Sequence, residues 1–371
     1  MSNLVRQLMS SGMIIEAERR QEGRGAPSTT LTLNADGAFA IGLDLDRDHL
    51  TGVLVDLSGT VRERISEELD FPSPEDALSR MASLTEELIA RQKIDRQRIW
   101  GVGVGIPGPM HRLNGSDSYV MNPKAFPGWR NVPVGDYLED RLGLPVFLEN
   151  NATAAAVGER WYGTGKDYRT FFYIYFGSGL GGGLILQGQP YEGSTGNAGE
   201  IGYMPDGAPT VTRVEDRPHV GLHFYLPELF ERLRASGEDV RSPADLEPLL
   251  DERHPLLIDW INKGADHLTN LALAVEYLVD PEAMFFGGRL PNAIIKEVMT
   301  HVADLLPKRR IGGKEAATPH LMATAGVDAA ALGVATLPFY EFSAPAPRVL
   351  MKQNEGGGSV SINAPRAPRL R

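Results

Sequence analysis

The sequence predicts an α/β protein built from two lobes. Strand-like and amphipathic helical stretches alternate along most of the 371 residues, the pattern of sheets covered by helices. Two β-meanders, each punctuated by glycine or acidic residues and each followed by helices, recur about 130 residues apart. Repetition of that kind suits two similar lobes with a cleft between them.

The elements follow in order. Leu4, Val5, Leu8 and Met9 recur at helical spacing until Ser10-Ser11-Gly12 stops the run. Met13–Glu16 and Thr29–Leu33 read as two strands around the loop Gly23–Pro27. The first lobe opens with Phe39–Leu45 and continues through Leu50–Leu57, a Ser58-Gly59 turn and a strand from Thr60. Residues 74–93 form an amphipathic helix opening at Ser73-Pro74, where a capping hydroxyl precedes a proline suited to the first turn. Trp100–Ile106 is a buried strand running into Pro107-Gly108-Pro109. Val134–Leu142 is a helix, and Pro145–Leu148 a strand feeding residues 149–159. The second meander runs from Thr170–Phe176 through Gly177–Gly183 and returns as Leu184–Leu186. Residues 222–304 are mostly helical, interrupted by a strand and turn at Pro281–Gly288, and Val327–Leu337 is an alanine-rich helix. From Glu341 the Pro-, Gly- and Ser-containing tail with its basic end is expected to be flexible.

Composition narrows the function. With 42% hydrophobic and 23% charged residues the chain is expected to be globular. No run approaches the ~20 apolar residues of a membrane span, and the N-terminus lacks the apolar core of a secretory signal. The absence of cysteine excludes disulfides, thiolate zinc sites and a cysteine nucleophile, and a cytoplasmic location is the simplest expectation. A net charge of −11 argues against a general nucleic-acid binder, because phosphate affinity comes from clustered Lys and Arg. DNA contact would need a local basic element. Residues 1–30 carry four arginines against three glutamates, a net +1.

One stretch is more specific. Glu149-Asn150-Asn151-Ala152-Thr153-Ala154-Ala155-Ala156-Val157-Gly158-Glu159 resembles the ENDANAAALGE signature of the ROK family of transcriptional repressors and sugar kinases. Ile106-Pro107-Gly108-Pro109, Gly177–Gly183, Gly199-Glu200-Ile201-Gly202 and Phe286-Gly287-Gly288 occur in the family's order. The resemblance covers roughly residues 38–340. It implies the two-lobed actin-like/sugar-kinase (ASKHA) fold, with a first α/β lobe at 37–150, a second at 151–325, a helix at 326–340 returning to the first lobe, and a tail at 341–371. Residues 1–36 resemble the end of a winged helix-turn-helix, starting part-way through its recognition helix. Either a fuller DNA reader lies upstream in the complete protein, or the reader has been lost. A helix and hairpin that merely pack on the next domain is the plainer reading.

The resemblance also marks what has changed. The kinases carry Asp at the position of Asn151, as the base that takes the sugar hydroxyl's proton. An amide cannot accept it, and losing a general base costs roughly 10²–10⁴ in rate. A first phosphate loop of type DxGGTK corresponds to Asp44-Leu45-Asp46-Arg47-Asp48-His49, where Asp46 and Asp48 would repel phosphate. Gly177-Ser178-Gly179-Leu180-Gly181-Gly182 matches GxGxxG, yet a strand follows rather than a helix, so a dinucleotide site is rejected. These residues, with Gly287 and Gly288, are expected to be a phosphate-loop remnant or a turn kept for its shape. By resemblance, Asn150, Asn151, Glu200, Tyr203 and His223 are the sugar-contacting candidates. The family's zinc ligands align with Tyr203 and Gly221, so neither zinc nor another metal is expected. The His219/His223 spacing lacks a reliable helix and the glutamate of a zinc motif. Glu149 is read as holding the signature loop and Glu159 as a polar face residue. The expected function is a kinase-inactive, sugar-responsive regulator with a sugar effector, operator DNA and a homodimeric state, without cofactor. The alternatives are a sugar kinase using MgATP, with Asp44 or Glu200 as base, and a sugar-binding protein that does not bind DNA.

Overall fold

The computed structural model describes residues 3–17, 30–112, 119–121, 126–206, 218–311 and 317–343. The expected loop at Gly23–Pro27 and the tail beyond residue 343 lie outside them. The N-terminal element is a helix, α1 (Asn3–Ser10), and a hairpin of β1 (Ile14–Glu16) and β2 (Leu31–Leu33), paired antiparallel with Ile14 opposite Leu33.

The first lobe contains β3 (Phe39–Leu45), β4 (His49–Asp56), β5 (Val61–Glu68), α2 (Pro74–Gln92), β6 (Ile99–Ile106), the short hairpin β7 (Met110–Arg112) and β8 (Tyr119–Met121), α3 (Val134–Leu142) and β9 (Val146–Asn150). Ser73 caps α2 by accepting the Asp76 N–H at 3.2 Å, with Pro74 in the first turn as the sequence implied. Next comes α4 (Asn151–Tyr162). The second lobe contains β10 (Phe171–Phe176), β11 (Leu180–Leu186), β12 (Gln189–Pro190), α5 (Leu226–Ala235), α6 (Leu246–Asp251), α7 (Pro255–Val279), β13 (Ala283–Gly288), α8 (Asn292–Arg309) and β14 (His320–Met322). The expected terminal helix resolves into α9 (Ala329–Ala335) and α10 (Leu337–Ser343).

The two large sheets have the same plan. Their strand orders are β5-β4-β3-β6-β9 and β12-β11-β10-β13-β14. In each, the first strand lies at the centre, pairs antiparallel with the second and parallel with the fourth. This is the repetition the meanders announced.

Helices α4 and α9 lie between the sheets and pack on each other. A Cβ at Gly158 would overlap the Ala329 carbonyl, and one at Gly333 the Ala154 carbonyl, so the helix backbones touch. Gly42 and Gly103 let α9 approach β3 and β6 in the same way. Glu159 corrects the sequence reading. It is no polar face residue but is fully buried, and its carboxylate accepts the Thr324 and Ala325 N–H groups at 2.9 and 2.8 Å, fixing the loop that leads into α9. A buried carboxylate is tolerable when its lone pairs are filled in this way.

Candidate functional site: the interlobe cleft

In the first lobe β3, β6 and β9 run parallel, so their C-terminal ends share one edge. Asp46 and Arg47 follow β3, Pro107 and Gly108 follow β6, and Asn150 and Asn151 close β9 and open α4. Gly177 and Gly179 follow β10 from the other lobe. These residues line one cavity of about 160 Å³ together with Tyr175, Glu200, Tyr203, His219 and Tyr225. A cavity of roughly 150 Å³ is enough for a six-membered ring. A crevice beyond the carboxyl ends of strands is the usual ligand position in open α/β sheets.

Two amides and a carboxylate dominate one side of the cavity. Asn150 Oδ1 caps α4, accepting the Ala152 and Thr153 N–H groups at 2.8 and 3.4 Å, while its Nδ2 donates to Glu200 Oε1 at 2.9 Å across the cleft. One side chain thus fixes a helix start and orients a carboxylate of the opposite lobe. Gly108 is demanded here, because a Cβ would overlap the Glu200 carboxylate. Asn151, the first residue of α4, lines the cavity beside them. Next to Asn150, Glu149 is buried and accepts the Asn150 N–H at 2.7 Å. Burial pushes its carboxyl up to about 8, only partly offset by that N–H, with Glu192 nearby adding to the rise.

The phosphate-loop positions are joined by a charged network. Asp46 accepts the Ser178 hydroxyl at 2.8 Å and its N–H at 3.3 Å, and Arg47 Nη1 donates to Asp46 at 3.0 Å and to Ser178 Oγ at 2.7 Å. Asp46 is 2% exposed and Arg47 9%. The Ser178 N–H and hydroxyl of the glycine-rich turn are therefore both taken by a carboxylate. Behind it, fully buried His49 sits between Asp44 (Nε2, 3.1 Å) and Asp48 (Nδ1, 2.7 Å). Burial alone would depress its pKa, but the two carboxylate hydrogen bonds outweigh this and raise it to about 9.

The remaining sequence candidates fall in different places. Tyr203 lines the cleft beside His219, whose Nδ1 lies 2.8 Å from the Gly202 carbonyl oxygen. His223 is outside the cavity wall: its Nε2 meets Asp206 at 2.7 Å. Gly181 lines the cavity and Gly182 packs against Phe172. Gly287 sits against Tyr173, and Gly288, at φ 128°, against the Phe176 backbone. Sequence reasoning missed the lobe-bridging Asn197, which accepts the Met110 N–H at 2.6 Å and donates to its carbonyl at 2.8 Å. It also missed Tyr175, which no motif marked, and gave no role to Arg47 and Tyr225.

The comparisons agree with this architecture. A family model described as "ROK family" matches residues 40–214. Residues 40–214 are a ROK-family domain. The xylose repressor of Bacillus spizizenii is 28% identical over 203 residues, covering 55% of this chain and 52% of the repressor. The chain therefore spans about half the length of the xylose repressor it matches. The glucokinase of Thermotoga maritima is 28% identical over 316 residues, 78% of this chain and 95% of that enzyme. The fold is that of a solved ROK family transcriptional regulator, a homologue of the E. coli MLC protein. The TM-score is 0.69 at 20% identity, over 91% of this chain and 88% of that one. ROK relatives thus include both repressors and kinases. No helix among the described residues is long and apolar enough to cross a membrane.

Proposed function

We propose that this chain is a sugar-responsive transcriptional regulator that binds a monosaccharide or derivative in the interlobe cleft without phosphorylating it. The observation that carries the reading is the pairing of Asn151, an amide where a base is needed, with Asp46, which takes the donors of the opposing turn. Two independent parts of a phosphoryl-transfer site are altered, while the sugar side keeps Asn150 bonded to Glu200. Sugar binding would favour one arrangement of the lobes, and through it the placement of α1, β1 and β2 against operator DNA in a homodimer. A ligand shifts such an equilibrium only by its differential affinity for the two states. A cytoplasmic location follows from this role.

The test is product detection by mass spectrometry after incubation with MgATP and a pool of hexoses, pentoses and amino sugars, xylose and glucose among them, with calorimetry on the same sugars. The expected result is binding without a sugar phosphate. Glu200→Ala should weaken binding, and Asn151→Asp alone should leave turnover near zero because Asp46 is unchanged. Phosphorylated sugar made in proportion to protein would overturn the reading.

One observation favours a kinase as the second reading. Asp44 Oδ1 is buried without a hydrogen-bond partner among the described residues, beside Gly105, which also adjoins the Asn151 backbone. A base there would restore turnover without Asn151, and Asp44→Asn would abolish it.

A further inference from the structure

Three side chains beyond the cleft rim converge. Asp206 follows the short helical turn that carries Tyr203, His223 lies in the turn Val220–Phe224, and His267 projects from α7. One Asp206 oxygen lies 2.8 Å from His267 Nδ1 and the other 2.7 Å from His223 Nε2. The two imidazoles stack face to face, 3.6 Å apart and 6° from parallel. Each side chain is about a quarter exposed. The backbone holds the acid in place: Asp206 N–H donates to the Pro218 carbonyl at 3.1 Å, and Pro205 bridges His219.

We infer that Asp206, His223 and His267 form a binding site for a divalent transition-metal ion. The ligand atoms all lie within 4.8 Å of one another. Donors around a tetrahedral ion with bonds of about 2.1 Å are about 3.4 Å apart. The two His–Asp contacts therefore need to open by less than 1 Å, and one imidazole must turn out of the stack so that both ring planes meet the ion. Two neutral imidazoles and a carboxylate suit zinc, cobalt, nickel or copper rather than calcium or magnesium, which prefer all-oxygen shells. Binding releases any proton shared between ring and carboxylate, and the complex carries one net positive charge. Three protein ligands leave a fourth position for water. The sequence concealed the site because the one spacing it displayed, His219 with His223, is not the pair that meets.

Such an ion ties three segments together: the 201–206 turn, which follows Glu200 and carries Tyr203, the 220–224 turn that carries Gly221 and Leu222, and α7. It would act as a staple on the outer wall of the sugar cleft.

The test is a titration of the full, tag-free, chelator-treated chain with ZnCl₂ by calorimetry, with metal content measured after dialysis and CoCl₂ used as a visible-spectrum probe. The expected result is one ion per chain. Asp206→Asn and His267→Gln should each weaken binding by more than about 100-fold, the upper end for residues that merely orient a ligand. His301→Gln, on α8, should leave it unchanged. Failure of the unaltered chain to take up Zn²⁺ or Co²⁺ overturns the site, whether or not the variants fold. Uptake that survives both substitutions overturns it equally.

Discussion

The two lobes place the same turn at the same point, between the first and second strand of matching sheets, and furnish it in opposite ways. In the second lobe it is Gly177-Ser178-Gly179, small and uncharged. In the first it is Asp46-Arg47-Asp48, charged and almost buried. The turns meet, and the first consumes the second: the Asp46 carboxylate takes both the N–H and the hydroxyl of Ser178. A glycine-rich turn is therefore insufficient evidence for phosphate binding. Its donors must also be unclaimed, and the opposite lobe decides that.

The largest effect should come from breaking the charged turn. Asp46→Asn leaves the Arg47 guanidinium nearly buried beside a neutral partner, and removing one member of such a pair costs about 3 kcal/mol. Urea unfolding should register that loss. The double variant Asp46→Gly/Arg47→Gly should lose less than the two single changes combined, because each removes the other's partner. It should also gain affinity for a fluorescent ATP analogue. If the double variant binds no nucleotide, the charged turn is not what separates the lobes.

The next effect is set by pH. The His49 pKa in the fold, about 9, lies above the ordinary 6.5. Its contribution is complete below pH 6.5 and is lost as pH rises through 9, on the order of 3 kcal/mol. His49→Gln should flatten that part of the stability curve. The matching strand of the second lobe begins at Leu180 instead of a histidine, so an unchanged slope would remove this difference between the lobes.

A second pH effect belongs to Glu149, whose carboxyl near 8 is also raised in the fold. Its contribution is present below pH 4.5 and lost as pH climbs to 8. Glu149→Gln imitates the neutral acid and can still accept the Asn150 N–H. It should raise Tm little at pH 5 and most above pH 8. An equal rise at both pH values would mean that ionisation is not the cause.

The frame was legible because periodicity and capping are local. Ser73-Pro74 starts α2, and the two meanders foretold two sheets of one plan. The signature located Asn150 and the Gly199–Gly202 motif located Glu200, whose hydrogen bond crosses the cleft. Partnerships between distant residues were not legible. Glu159 reads as one more helix-face acid until its bonds to residues 324 and 325 are seen. Asp206, His223 and His267 lie on three separate elements, and no spacing announces them. The dense α4–α9 contact depends on glycines whose need becomes evident only when the second helix is in place.

The smallest predicted effect tests the comparison from the other side. Ser178→Ala deletes the hydroxyl that donates to Asp46 and accepts from Arg47, yet the Ser178 N–H contact at 3.3 Å and the Arg47–Asp46 pair at 3.0 Å remain. No charge is stranded, so the cost should be that of an ordinary hydrogen bond, about 1 kcal/mol in urea unfolding. The same network should therefore answer unequally, weakly from the glycine turn and strongly from the acidic one. If Ser178→Ala costs as much as Asp46→Asn, the two turns hold the cleft jointly, and the second cannot be treated as a passive loop covered by the first.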